Sequence, residues 1–237
     1  MNNKYNSALG AYEKILKMDF QNASIGIGTG STTDIFTKNF LNRLSGSFNK
    51  IYSTSKTTSA LIEEIGLTVS NEIPDSRNID VYVDGADEVD GVLNLIKGGG
   101  GAHAREKMVA DASKYFICIV DSSKSVKTLG AFGVPVEIMS FGYKNTINKL
   151  SKFSDKISIR DAKSQNGNII ADLKNMVIEN PLSVETAIKS ITGVIEVGIF
   201  AKNKPDLLII GDEKSYVSID ASISLTIDWS LGSILWE

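Results

Sequence analysis

Through roughly the first 125 residues, short apolar runs alternate with stretches whose apolar positions recur at helical spacing. Ser24 to Gly28 reads as a first strand. Ser31 to Leu44 follows as a helix that sets Ile35, Phe36, Phe40, Leu41 and Leu44 on one face, capped by Ser31 or Thr32. Lys50 to Ser55 is a second strand, Thr57 to Ile65 a helix ended by Gly66, Ile79 to Val83 a strand and Lys114 to Val120 another. Ahead of them all, Tyr5, Ala8, Leu9, Tyr12, Ile15 and Leu16 recur at helical spacing. This succession argues for βαβ units and a largely parallel sheet with flanking helices. From about Leu129 the pattern changes. A turn at Pro135, a helix near Asn145 to Phe153, and a hairpin from Ile157 to Leu173 turning at Asn166-Gly167 come first. A strand from Met176 to Ile178, a helix after Pro181 and an extended stretch from Val194 to Phe200 complete a small α+β unit. Asp206 to Ile210 and Tyr216 to Ile219 read as strands returning to the main sheet. The expectation is an α/β protein, with a main domain over residues 1–128 and 204–237 and a small α+β domain over 129–203.

Composition narrows the function classes. A chain of 237 residues with 42% hydrophobic positions can bury a substantial core. A net charge of -3 and a pI near 5.4 provide no basic stripe for a nucleic-acid backbone. The opening residues lack the continuous apolar core and cleavage site of a signal peptide, and an apolar run such as Phe116 to Val120 falls far short of the ~20 residues of a membrane span. The single cysteine, Cys118, lies inside that run and reads as a buried thiol in a reducing cytoplasm. No metal-ligand cluster and no cysteine nucleophile are supported.

Polar segments fall repeatedly where the strands end. The loop Gly26 to Thr32 follows the first strand, Asp84 to Asp87 ends the third, Lys97 ends a run from Val92 to Ile96, and Asp121-Ser122-Ser123-Lys124 ends Lys114 to Val120. Open, Rossmann-like α/β sheets bind ligands at this carboxyl edge. The first loop opens a helix, so its amides and the hydroxyls of Thr29, Ser31 and Thr32 form a nest for a phosphate or sugar oxygen. Its glycine spacing matches neither the dinucleotide fingerprint nor a P-loop. Between Tyr82 and Lys107 the chain gathers acids, a lysine and four consecutive glycines, which let backbone amides approach a ligand closely. A surface turn rich in Asp and Gly is the alternative.

Taken together, GIGTGST, YVDGADE, KGGGGAHAREK and ICIVDSSK resemble the A-type ribose-5-phosphate isomerases, over about residues 5 to 210. The resemblance implies an aldose-ketose isomerase that interconverts ribose 5-phosphate and ribulose 5-phosphate with no metal and no cofactor, as a homodimer or homotetramer. By motif position Glu106 is the proton acceptor. The same carry-over makes Thr29, Gly30, Ser31, Thr32, Asp84, Gly85, Ala86, Asp87, Lys97, Gly98, Gly99, Gly100 and Lys124 the substrate contacts. Elementary chemistry agrees, because moving a proton between C2 and C1 through an enediolate needs one base that takes and returns it. Glu106 would sit about one turn into the helix after the glycine loop, with Lys97 meeting the developing oxyanion. Asp84 and Asp87 could orient hydroxyls and assist ring opening, with the division of labour between them open. Glu88 and Asp90 read as turn or cap residues outside the site.

His103, the single histidine, lies three residues before Glu106 and reads as a solvated side chain near a helix start rather than a second base. The chain departs from the family pattern twice. The N-terminal helix carries Asn6 or Ser7 where relatives often have a phosphate-contacting lysine, with Lys4 nearby, and an apolar tail from Ala221 to Glu237 extends past the usual end. Two rivals share parts of this pattern. A hexosamine-phosphate isomerase or lactonase would need other acid-base groups, and a sugar-phosphate sensor would carry a DNA-binding module, for which only about 23 residues precede Ser24.

Overall fold

The computed structural model describes residues 2–70, 72–74 and 77–222. In chain order the elements are α1 (Asn2–Lys17), β1 (Ala23–Ile27), α2 (Ser31–Asn39), β2 (Phe48–Ser53), α3 (Lys56–Glu64), β3 (Val81–Asp84), β4 (Glu88–Val89), β5 (Leu95–Ile96), α4 (His103–Asp111) and β6 (Phe116–Asp121). Then come β7 (Val134–Ile138), α5 (Tyr143–Leu150), β8 (Lys156–Ile159), β9 (Ile169–Lys174), α6 (Pro181–Lys189), β10 (Val194–Val197), β11 (Ile199–Phe200), β12 (Leu207–Gly211) and β13 (Tyr216–Asp220). They form two compact units. One takes residues up to Gly85, Arg105–Ser123 and the stretch from Pro205; the other takes Ala86–Ala104 and Lys124–Lys204. The second unit thus contains 86–104 and 124–128 besides the 129–203 stretch expected of a small domain. Of the apolar tail, residues 223–237 lie outside the described residues.

The first unit is α/β. Its six-stranded sheet has the order β13-β12-β6-β3-β1-β2, parallel except for the β12–β13 pair. Strand alternation sends Ile25, Ile27, Val81, Val83, Ile117, Ile119, Leu207 and Ile209 to one face, where they join Ala8, Ala11 and Ile15 of α1 and Phe36 and Phe40 around α2 in one core. The other face carries Tyr82 beside Phe116, ring centroids 4.8 Å apart, with Val109 of α4 over Gly26. A parallel sheet covered on both faces explains its continuously apolar strands. Two expectations change in detail. The helix from Ser31 stops at Asn39 and Leu41–Leu44 continue as a 3-10 turn, still burying Leu41 and Leu44. Helix α1 turns Ser7, Ala8, Gly10, Ala11 and Ile15 inward, leaving Tyr5 and Leu16 exposed, because small residues let it lie close against β12 and β13.

The second unit is α+β and antiparallel. It has a four-stranded sheet β10-β7-β9-β8 and a three-stranded sheet β11-β5-β4, packed with α5 and α6 around a core that includes Ile96, Val136, Ala171 and Ile199. Asn180 caps α6 by accepting the Ser183 N–H, with Pro181 in the first turn, where no amide donor is missed. Pro135, expected in a turn, lies inside β7. In an extended strand a residue's N–H and C=O share a side, and the Pro135 carbonyl faces Gly198, 2.7 Å away, beyond the last β10 pair at Val197–Val136. The β7–β9 ladder therefore loses no donor to the proline. Met176–Ile178 is no strand but a single bridge from Ile178 to Leu129, and the run Val92–Ile96 yields only Leu95–Ile96 as strand. Since β5 belongs to the antiparallel sheet, Lys97 does not end a strand of the parallel one, contrary to the sequence reading.

Candidate functional site

In the first unit, β1, β3 and β6 are neighbours, so three of the four polar segments emerge together at their carboxyl ends. Asp84, the last residue of β3, is fully buried. One carboxylate oxygen accepts the Gly85 N–H at 2.7 Å and the other accepts the Tyr82 hydroxyl. Tyr82 and Asp84 share a face because they are two apart on a strand. Across the loop, a Cβ on Gly28 would fall 1.8 Å from the Asp84 carboxyl carbon, so only glycine leaves room for that carboxylate. Burial, reinforced by the carboxylates of Asp84 and Glu106 and the hydrogen bond to Asp84, pushes the Tyr82 phenol well above its ordinary range. It stays protonated and donates. Glu106, in the first turn of α4, is 1% exposed. It is not the solvated helix-surface glutamate that an isolated residue at that spacing would be.

The glycine loop after β1 leads straight into α2. That helix begins after Gly30 with no side-chain cap, so no side chain takes up its first amides. Thr29 Oγ1 lies 2.7 Å from Thr54 Oγ1, Ser31 is exposed at the first position of the helix, and Thr32 is buried. Lys4 of α1 donates to Ser31 Oγ at 2.8 Å. Lys4 lies two or three residues before the Asn6 or Ser7 position, and the Ser7 hydroxyl donates back to the Lys4 carbonyl. At the end of β6, Asp121 accepts from the Ser123 amide at 3.0 Å and from its hydroxyl, a turn that leads to Lys124.

In the second unit, Lys97, Asp87 and the glycine loop form a second cluster. The Lys97 N–H donates to Gly198 O at 2.8 Å and its ammonium lies 5.5 Å from the centroid of the Phe200 ring, with the residue only 2% exposed. Asp87 Oδ2 accepts the Gly99 N–H at 2.8 Å. Burial pushes the Asp87 carboxyl up, against the opposing pull of that N–H and of the Lys97, Lys124 and Arg160 charges. Gly98 is buried, whereas Gly99 and Gly100 are exposed. Asp90 accepts the Val92 and Asn94 amides in a local turn, as expected, whereas Glu88 is a buried residue of β4 that accepts the distant Gly130 and Phe132 amides. His103 departs from expectation. It is fully buried, with its ring packed under Gly98 and Nε2 3.4 Å from the Glu196 carbonyl oxygen. Sequence reasoning passed over Tyr82, which the two-residue spacing to Asp84 could have flagged, and Arg160, for which no local signal exists.

Residues 50–215 match the family described as ribose 5-phosphate isomerase A (phosphoriboisomerase A). A ribose-5-phosphate isomerase A of Neisseria meningitidis is 41% identical over 208 residues, 86% of this chain and 91% of the relative. A crystal structure of ribose 5 phosphate isomerase A from Neisseria gonorrhoeae superposes with a TM-score of 0.85 at 38% identity, covering 93% of this chain and 99% of that one. A D-ribose-5-phosphate isomerase in complex with phospho-erythronic acid gives a TM-score of 0.82 at 35% identity, covering 93% of this chain and all of the other, 100%. The chain belongs to the ribose 5-phosphate isomerase A family.

Proposed function

We propose that this chain interconverts D-ribose 5-phosphate and D-ribulose 5-phosphate through an enediolate, in the non-oxidative pentose phosphate pathway, with Glu106 as the proton shuttle. The observation that carries the assignment of the base is a carboxylate 1% exposed in the first turn of α4, close enough to act on the buried Tyr82 phenol that holds Asp84. Asp84 and Asp87 orient hydroxyls and move the proton that opens the furanose ring. In the open aldose, Glu106 removes the C2 proton and the C1 carbonyl oxygen becomes the oxyanion. Lys97 and the amides of Gly98 and Gly100 stabilise that charge, while the Gly99 amide holds Asp87. Transfer of the O2 proton to O1 and return of a proton from Glu106 to C1 complete the ketose. The nest of Thr29, Gly30, Ser31 and Thr32, joined by Lys4, takes the phosphate, and Gly85, Ala86 and Lys124 contact the sugar.

Family membership supports the substrate. So does the relative that binds phospho-erythronic acid, a sugar-acid phosphate whose planar carboxylate has the charge and shape of an enediolate. Among the described residues no group of three or more His, Cys, Asp or Glu side chains could hold a metal ion, and Lys97 already supplies the positive charge the enediolate needs. The family resemblance supports a homodimer or homotetramer, and the buried thiol of Cys118 supports a reducing cytoplasm. Among the described residues no helix is long and apolar enough to cross a membrane.

The test is a coupled assay of ribose 5-phosphate conversion by Glu106→Gln. An amide is isosteric but cannot carry the proton, so turnover should fall by ~10³-fold or more, the upper part of the range for a lost general base, while substrate still binds. More than a tenth of the wild-type turnover would remove Glu106 from the role.

A further inference from the structure

The glycine loop that the proposed reaction uses is held from behind by an ion pair that the reaction does not touch. Arg160 follows β8, where its N–H donates to Ile170 O at 3.0 Å and so sets its side chain beside Asp172 of β9. The guanidinium meets the Asp172 carboxylate with two hydrogen bonds, Nε to Oδ2 at 2.8 Å and Nη2 to Oδ1 at 2.6 Å. The remaining nitrogen, Nη1, donates to two consecutive backbone carbonyls, Gly98 O at 2.9 Å and Gly99 O at 3.0 Å. The same β8–β9 connection also reaches the end of the loop, where the Gln165 N–H donates to Gly101 O at 3.1 Å.

The geometry of the peptide unit turns this grip into a consequence for the site. In a trans peptide the carbonyl of one residue and the N–H of the next point in opposite directions. With the Gly98 carbonyl turned to Arg160, the Gly99 N–H must point away, and it donates to Asp87 at 2.8 Å. With the Gly99 carbonyl turned the same way, the Gly100 N–H also faces away from the guanidinium. Four glycines in a row would otherwise leave this segment with the widest choice of backbone conformations available to any sequence.

We propose that Arg160, locked by Asp172, is a positioning residue for the isomerisation: it orients the glycine loop so that the Gly99 amide holds Asp87 and the Gly100 amide faces an anionic oxygen of the substrate. This rests on the reading of Asp87 and the glycine loop as parts of the site. The planar two-sided fork is required. Lysine has no second edge with which to hold Asp172 while donating to both carbonyls.

The charges facing Asp87 come from Lys97 after β5, Lys124 after β6 and Arg160 after β8, together with the Gly99 N–H. Loss of Arg160 removes one of these charges and frees Gly99 to turn, and both changes favour the protonated acid. Where ionised Asp87 serves as the base for ring opening, the acid limb of kcat/KM against pH then moves to higher pH.

The experiment compares Arg160→Lys, Arg160→Ala, Asp172→Asn and Asp87→Asn by steady-state kinetics across pH, with thermal melting as the control for folding. Arg160→Lys and Asp172→Asn should retain the wild-type Tm within a few degrees and lower kcat by tenfold or more, and Arg160→Lys, which frees Gly99, should also shift the acid limb upward. Arg160→Ala should do so more strongly, and if it does not fold the lysine and asparagine variants carry the test. Wild-type kcat and an unshifted acid limb in Arg160→Lys, beside a crippled Asp87→Asn, would overturn the positioning role alone. An Asp87→Asn enzyme as active as the wild type would overturn the reading of Asp87 on which the inference rests.

Discussion

Gly28→Ala tests the first-unit cluster with a single methyl group. Gly28 has no left-handed backbone, so alanine is not strained there by its own φ, and the whole effect comes from what the new carbon meets. It would be 1.8 Å from the Asp84 carboxyl carbon and 1.9 Å from Oδ1, whereas ordinary contact begins at 3.4 Å. The carboxylate must retreat, and in doing so gives up the Gly85 N–H, the Tyr82 hydroxyl or both. Each is a hydrogen bond to a charged group worth about 1.5 to 3 kcal/mol, so the variant should lose roughly 2 to 5 kcal/mol. For a chain of this size that corresponds to about 2 to 4 °C of Tm per kcal/mol. With Asp84 in the role proposed for it, a displacement on this scale should also cost on the order of 10²-fold in kcat. The assay is a double-mutant cycle with Asp84→Ala, read by thermal melting and by coupled turnover. Removing the carboxylate removes the clash, so the methyl group should cost much less stability in the Asp84→Ala background and should lower its residual turnover no further. Equal destabilisation by Gly28→Ala in both backgrounds would refute the argument, because the methyl group would then be clashing with something other than Asp84.

Two further outcomes separate binding from chemistry and charge from metal. Lys4→Ala should raise KM for ribose 5-phosphate by about tenfold or more with kcat little changed, since Lys4 reaches Ser31 at the uncapped start of α2 and a charge-assisted contact to phosphate is worth about 1.5 to 3 kcal/mol; an unchanged KM would take Lys4 out of the phosphate nest. Preincubation with EDTA should leave the rate unchanged, with Lys97 supplying the positive charge; inactivation reversed by Mg²⁺ or Mn²⁺ would require Asp84 and Asp87 to be reread as metal ligands.

Much of the architecture was legible because it is written in local periodicity. The strands around Ser24–Gly28, Ile79–Val83 and Lys114–Val120, the helix after Pro181 and the two final strands all follow from runs and spacings within a dozen residues. The candidate site's segments could be picked out for the same reason, since GIGTGST, YVDGADE and KGGGGAHAREK are contiguous words in the chain. Where the sequence reading failed, the deciding partner lay far away. Pro135 is tolerated in β7 because its side of the strand faces Gly198, and Lys97 ends a strand of the antiparallel sheet because β5 pairs with β11, more than 100 residues later.

Sequence by itself therefore determined the class of fold, the order of its elements and the acidic, glycine-rich and lysine-bearing segments available for chemistry, because helical and strand periods and turn residues act within a few positions of themselves. Tertiary structure alone decided which of those groups are buried and what holds them. Glu106 and His103 share one helix start, and only packing makes both of them buried rather than solvated. Lys4 meets Ser31 across 27 residues, and Arg160 meets Gly98 across 62. Burial and hydrogen bonding act through space, and the distance between two residues in space is set by the whole chain's packing and not by any word within it.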